Sequence, residues 1–469
     1  MDEKTTFGVI VANRGFFPEH LIETGHRTIR RVLEEAGYGC VSPDFEATRH
    51  GCVESNEDAK KCARLFAEHA GEIDGIIVTL PNFGDERSVA KAVRWSGLDV
   101  PVLVQAEPDD PEKMDLDNRR DSFCGKMSIC NNLRQYGISY SLTSMHTESL
   151  ESPEFAHDLE NFAATCRVVG ALDGARFGAV GARTGPFLTV RYSEKLLESE
   201  GISVETVDLS EILAAADSVR RNSNDFKDKR AALSSYVECP GVSDEAFDRM
   251  ARFGVALDHW ISENDLDGVA VQCWTAIEEI YGIVPCAVMS MLSNSGVPAA
   301  CEVDVTGAVS MYALQAAAGR PAAIVDWNNN YGSDPNKCVA FHCSNLPRDV
   351  FEECRMSYQA IISADVGKEN AYGTIEGRVK AGPATFLRIS TDDELGLMRA
   401  YAGQGRFTDD PLETFGGYGV LEVPALQTLL RHICSAGFEH HTAVALARRS
   451  EAVCEALGTY LGWEIYHHS

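Results

Sequence analysis

The chain has no excess of basic residues, no long apolar run and no paired-cysteine motif, and each absence removes a class of function. Its 42 Lys+Arg stand against 70 Asp+Glu, a formal net charge of -28 at pH 7. Nucleic acids and anionic membrane surfaces are met by basic patches, so neither is an expected partner. No segment supplies the roughly 20 consecutive apolar residues that a bilayer span requires. The opening residues Met1–Thr6 lead into an apolar stretch with no basic region or cleavage site, so a cytoplasmic location is expected. The 15 cysteines are odd in number, contain no CxxC, and sit largely in apolar runs, as at Cys273, Cys286, Cys301 and Cys338. They read as buried, reduced thiols rather than a disulfide framework or a structural zinc site.

What is present is ordinary globular composition, 45 % hydrophobic and 24 % charged over 469 residues, enough for two or three domains. The first segment alternates apolar strands (Phe7–Ala12, Gly75–Leu80, Val100–Gln105) with amphipathic helices such as Leu21–Ala36, which ends at Gly37. Such alternation implies βαβ units on a parallel sheet, with functional groups where strand ends meet loops. A second run echoes the first: Phe7–Gly15 (FGVIVANRG) aligns with Phe177–Gly185 (FGAVGARTG). Neither loop is a GxGxxG fingerprint, so bound NAD is not expected. The link between the halves falls around Asp158–Asp173. The long helical stretch Asp244–Asn264 leads to a strand at Gly268–Gln272, and Ala322–Val325 and Val339–Phe341 are further short strands. After about Arg348 the strands are short and broken by Gly and Pro (Thr374–Val379, Thr385–Ile389, Gly419–Val423), with a largely helical closing segment Glu439–Gly462. The expected fold is α/β: two tandem Rossmann-like parallel-sheet domains, residues 1–165 and 166–345, followed by a C-terminal antiparallel β-domain, residues 346–469.

Four side chains at strand ends or turns stand out against apolar surroundings: Glu302 in PAACEVD, Asp326 closing AAIVD, His342 closing VAFH, and His441 in GFEHHT. Each has a plainer reading. An acid after a strand is commonly an N-cap or loop residue, and a histidine there is commonly just hydrogen-bonded. Together, two carboxylates and two imidazoles without a thiolate form a hard-to-borderline ligand set, suited to Mn²⁺ or Mg²⁺ rather than to structural zinc.

From Pro298 onward these residues resemble the L-fucose/L-arabinose isomerase family of metal-dependent aldose–ketose isomerases, and the resemblance extends over nearly the whole chain. It rests on the Glu302 turn, on the acid 24 positions later, on the Gly-x-x-His-His-Thr motif at Gly437–Thr442, and on the segments Asp121–Gly125 and Gly377–Pro383. The fucose-isomerase-like members share these last three segments most closely. The resemblance implies metal ligation by Glu302, Asp326 and His441, with His342 added as in the arabinose branch and His440 left as a neighbour. It implies acid/base roles for Glu302 and Asp326, Mn²⁺ as cofactor (Mg²⁺ or Co²⁺ as substitutes), and a homo-oligomer, a hexamer. The second acid is Asp as in the fucose branch while His342 follows the arabinose branch, so the sugar is left open.

Candidate sugar contacts are Gln272 and Trp274, Arg183 (the repeat-mate of Arg14), Asn345, and Arg14 and Asn82, which would act on a neighbouring subunit. Trp274 could equally be core packing. Two arginines would suit an anionic sugar, sulfonated or phosphorylated. The expected activity is aldose–ketose isomerisation of an open-chain sugar through a cis-enediol. A sugar-binding or sensor protein without catalysis is the alternative, since tandem Rossmann-like domains also build binding folds, and a metal-dependent aldolase is a third reading.

Overall fold

The computed structural model describes residues 4–469, which form two compact units. The first runs to Gly170 and includes Glu455–Gly462. Its sheet is parallel throughout, in the order Gly39–Val41, Thr6–Ala12, Gly75–Leu80, Val102–Ala106, Ser141–Leu142, with Cys52–Val53 also pairing to Thr6–Ala12. The central strand TFGVIVA is buried on both faces, as a parallel sheet covered by helices demands. Its alternation divides the core: Phe7, Val9 and Val11 pack with Ile22, Ile29 and Phe162, while Ile10 and Ala12 pack with Phe66, Val89 and Leu133. The helix Glu19–Glu35 closes at Gly37, whose φ of 84° is the left-handed conformation that a helix end favours in glycine. Ser55 and Asp85 cap Asn56–Glu68 and Glu86–Ser96 by accepting from Asp58 N and Ser88 N. Residues 153–172 form one continuous helix where the sequence suggested a linker.

The second unit, Ala171–Cys454 with Trp463–Ser469, contains two sheets. The parallel one runs Ser203–Val207, Arg176–Val180, Gly268–Val271, Ala299–Cys301. The strand holding Phe177 thus has a place in its sheet like that of the strand holding Phe7, with the next strand in the chain on one side and two later strands in succession on the other. The fold is α/β with two Rossmann-like sheets, as the repeat predicts.

The third sheet has nine strands and is mostly antiparallel. Six of them, Ala323–Asn330, Lys337–His342, Gly417–Glu422, Leu397–Thr408, Gly382–Asp392 and His441–Ala445, pair in a closed ring, which is a small barrel. Two expectations are corrected by this sheet. The strands carrying Asp326 and His342 pair into the barrel and not into the parallel sheet, and His441–Ala445 is a strand where a helical segment was expected. Burial explains the second: HTAVA is buried at every position, as the apolar interior of a sheet requires and a half-exposed helix does not.

Candidate active site

Glu302 follows the last strand of the parallel sheet, at a turn whose backbone is strained. Glu302 and Val303 have φ of 62° and 58°, the left-handed region that a β-branched residue rarely enters. The turn ends at Asp304, whose Oδ1 accepts from Gly307 N at 2.9 Å and so caps the helix Val305–Ala318. Asp326 and His441 face one another across paired barrel strands, in register. His342 ends the neighbouring strand Lys337–His342.

These elements bring the four predicted ligands together. His441 Nε2 is 3.1 Å from Glu302 Oε2 and 3.4 Å from Asp326 Oδ1. The ring of His342 lies 5.7 Å from that of His441, centroid to centroid, and the ligand atoms of Glu302, His342 and His441 lie within 4.8 Å of one another. Glu302, His342 and His441 are buried, whereas Asp326 is 21 % exposed and opens the cluster to solvent. His440, set aside by the sequence, is also close, with Nε2 3.6 Å from Asp326 Oδ1.

The donor set passes a direct test for a cation. Glu302 Oε2, Asp326 Oδ1 and His342 Nδ1 are buried atoms with no hydrogen-bond partner among the described residues; Glu302 and His342 form one donor group with His441, and Asp326 forms a second with His440 and His441. Unsatisfied buried acceptors are costly, and convergence of several on one point is what a bound cation relieves. Oxygen and imidazole donors without thiolate suit a divalent ion of the Mg²⁺ to Mn²⁺ type.

Three residues behind the cluster were not singled out by the sequence. Asp304, fully buried, accepts from His441 Nδ1 through Oδ2 at 2.8 Å and from Arg388 at 2.6 and 3.0 Å. Arg388, also fully buried, reaches Glu439 at 3.1 Å. Burial disfavours its charge, yet Asp304 and Glu439 hold the guanidinium firmly protonated. Burial likewise opposes ionisation of Asp304, but Arg388 and His441 hold its carboxyl well below the usual range. Burial would lower the His441 pKa; the hydrogen bond to Asp304 and the neighbouring Glu302 carboxylate outweigh it and raise it to about 10. Glu302 is also held below its ordinary value, because His441 more than offsets burial. His342 is pushed down by burial and stays a neutral donor. Arg388 had a visible signal, a lone cation in the apolar strand TFLRIS.

The predicted sugar contacts separate into three kinds. Trp274 belongs to the cluster, donating from Nε1 to Glu302 Oε1 at 2.8 Å, and Phe187 packs its ring against Trp274, His440 and His441. Gln272 and Arg183 lie on adjoining loops. Gln272 Oε1 accepts from Ala182 N at 2.9 Å, and Arg183 Nη1 donates to Thr184 O and Gly185 O at 2.7 and 3.1 Å. Asn345 is buried and donates to Ala299 O at 2.8 Å, so it ties its loop to the strand Ala299–Cys301.

In the first unit, Asn82 is buried within its own loop, donating to Asn13 and accepting from Arg14 N and Gly84 N. Arg14 pairs with Glu86 and lies 4.0 Å over the Phe83 ring. Cys124 and Cys434 are exposed, and no helix among the described residues is long and apolar enough to cross a membrane.

Two domain families match the chain. Residues 8–173 match the N-terminal domain of fucose/sulfoquinovose isomerase, and residues 340–468 match the C-terminal domain of L-fucose isomerase. The second match contains His342 and His441; Glu302 and Asp326 fall between the two. Whole-chain relatives include the sulfoquinovose isomerases of Priestia aryabhattai (23 % identical over 394 residues, 84 % of this chain and 85 % of that protein) and Alkalicoccus urumqiensis (24 % over 387 residues, 81 % and 83 %). That of Clostridium sp. (strain MSTE9) is 25 % identical over 338 residues, 70 % and 72 % of the two chains. The paired domains, the relatives of matching length and the Glu302 and His441 motifs agree, and the chain belongs to the fucose-isomerase-like family of aldose–ketose isomerases.

Proposed function

We propose that the protein is a Mn²⁺-dependent isomerase that converts a 6-sulfonated hexose to its ketose. The observation that carries the reading is the convergence of orphaned Glu302 Oε2, Asp326 Oδ1 and His342 Nδ1 on His441 Nε2. The sulfonated substrate class is supported by the names of the relatives and by the arginine content of the loops beside the site.

Glu302, Asp326, His342 and His441 would hold the cation. When bound, a divalent ion supplies Lewis acidity toward a carbonyl and charge that fixes two neighbouring oxygens. The residues supply the rest. One carboxylate of the Glu302–Asp326 pair removes the proton from the carbon beside the carbonyl, exchanges it with solvent while the enediol lasts, and delivers a proton to the adjacent carbon. The other moves the proton between the two oxygens, and the species between is a cis-enediol. Trp274 donates to Glu302 Oε1, which fixes the rotation of the carboxylate and so the direction in which Oε2 points. The rings of Phe187 and Trp274 form an apolar wall beside the cluster.

By family resemblance the protein works as a homo-oligomer, a hexamer, in which Arg14 from a neighbouring copy reaches the site and Asn82 holds the Arg14 loop. The test is conversion of a sulfonated hexose by protein stripped with chelator and then reloaded with Mn²⁺. Ketose formed only after reloading supports the reading. Binding without turnover in the loaded protein would return it to the sugar-binding alternative, and shorter carbon products would mean an aldolase.

A further inference from the structure

Beside the ligand cluster, in the second unit, lies a cavity of about 800 Å³, a size that holds a small-molecule ligand. One wall is the segment Arg183–Lys195, and the other includes Ser390 and Glu439. The cavity and the cluster share structure. Phe187 of this segment packs on His440 and His441, and Thr184 Oγ1 donates to Trp274 O at 3.2 Å. Glu439 lies two residues before His441 and pairs with Arg388.

The charges on this wall run against those of the molecule. In a chain with a net charge of -28, basic side chains have acids in excess to pair with. Arg183, Arg191 and Lys195 nonetheless have no carboxylate within ion-pair distance, 4.0 Å, among the described residues, and all three line the cavity. Of the facing acids, Glu439 is held by Arg388 and Ser390, Glu194 accepts from Tyr192, and Asp393 is exposed.

Arg183 is the best placed of the three cations. It is half-buried, and its Nη1 is fixed by the carbonyls of Thr184 and Gly185. Both Nη1 hydrogens are thereby used, while Nε and Nη2 have no acceptor among the described residues. That leaves the planar two-donor edge of the guanidinium already oriented, the geometry that takes two oxygens of a sulfonate or phosphate together. Arg14 differs on this point, since Glu86 already neutralises it.

We propose that this cavity is the subsite for the anionic end of the sugar, with Arg183 as the anchor that receives two sulfonate oxygens. The inference rests on the isomerase reading above, and it adds the residue that selects the substrate class. Arg183 is a binding and specificity residue; it takes no part in proton transfer.

The experiment compares kcat/KM for a 6-sulfonated hexose and for its neutral 6-hydroxy counterpart in wild type, Arg183→Met and Arg183→Lys, all Mn²⁺-loaded. The ratio of the two values is expected to fall about 100-fold in Arg183→Met, a loss typical of a buried charge-assisted pair. Arg183→Lys, with charge but no planar edge, should recover only part of it. Ethanesulfonate should inhibit wild type competitively and lose that effect in Arg183→Met. A ratio unchanged within about threefold in Arg183→Met, with sulfonated turnover intact in wild type, overturns the subsite and leaves the isomerase reading standing. A wild type that isomerises neutral hexoses and ignores sulfonated ones overturns the substrate class itself.

Discussion

Asp304 Oδ2 accepts a hydrogen bond from His441 Nδ1 at 2.8 Å, which turns His441 Nε2 toward Glu302 and Asp326. Asp304 is itself fixed by two hydrogen bonds from Arg388 and by capping the helix that follows it. A carboxylate holding the far nitrogen of a ligating histidine sets both tautomer and ring orientation.

Asp304→Asn should therefore weaken Mn²⁺ binding about 10- to 100-fold while Glu302, Asp326 and His342 stay in place. Calorimetric titration of the stripped protein measures this directly. An unchanged affinity would mean that Asp304 serves the helix cap and the Arg388 pair alone.

Arg388→Met should cost stability rather than chemistry first. It leaves Asp304 and Glu439 buried without their cation, and breaking one side of a buried pair costs about 3–5 kcal/mol. Urea unfolding of the metal-free protein is the measurement, and a loss below about 1 kcal/mol would place the pair outside the stabilising core.

Metal binding should be proton-linked, with a sign set by His441. Burial opposes its charge, but Asp304 and Glu302 raise its pKa to about 10 in the folded, metal-free protein, above its ordinary value of 6.5. The proton is thus held in the folded state and lost in the unfolded state between these two pH values. The stability it contributes is complete below about 6.5 and declines as pH rises toward about 10. A bound cation must displace this proton, so Mn²⁺ affinity rises with pH up to about 10. Titration in buffers of different ionisation enthalpy should show one proton released per ion near neutral pH. No release would mean that His441 is not a ligand.

Glu302→Gln keeps size and hydrogen-bonding but removes one of the two carboxylates proposed for proton transfer. Turnover should fall at least about 100-fold, the usual worth of a positioned proton-transfer group, while the protein retains some bound Mn²⁺ by metal analysis. Near-wild-type turnover would assign the base elsewhere.

The parts of the site that were legible in the sequence are those that carry local signals. Glu302, Asp326, His342 and His441 each end an apolar stretch, so their chemistry shows against its surroundings. The duplicated sheets were legible for the same reason, through FGVIVANRG and FGAVGARTG. What was hidden depends on distant pairing. Asp304 looked like the helix cap that it is, and only the fold brings Arg388, 84 residues later, to its other oxygen. Closure of the barrel joins strands from Ala323 to Ala445, and a strand's own alternation does not say which sheet it will join. The polar loop residues Asn82 and Asn345 were equally ambiguous, because satisfying a neighbour's backbone uses the same amide as binding a sugar.

The most direct test of the central claim is isomerisation in D₂O by protein stripped and reloaded with Mn²⁺, read by proton NMR after the metal is removed from the sample. Deuterium should appear on the carbon that receives the proton, only in metal-loaded protein, and the exchange should disappear in Glu302→Gln. Ketose formed with every carbon-bound proton retained, or formed equally without metal, would contradict proton transfer by carboxylates at a cation site.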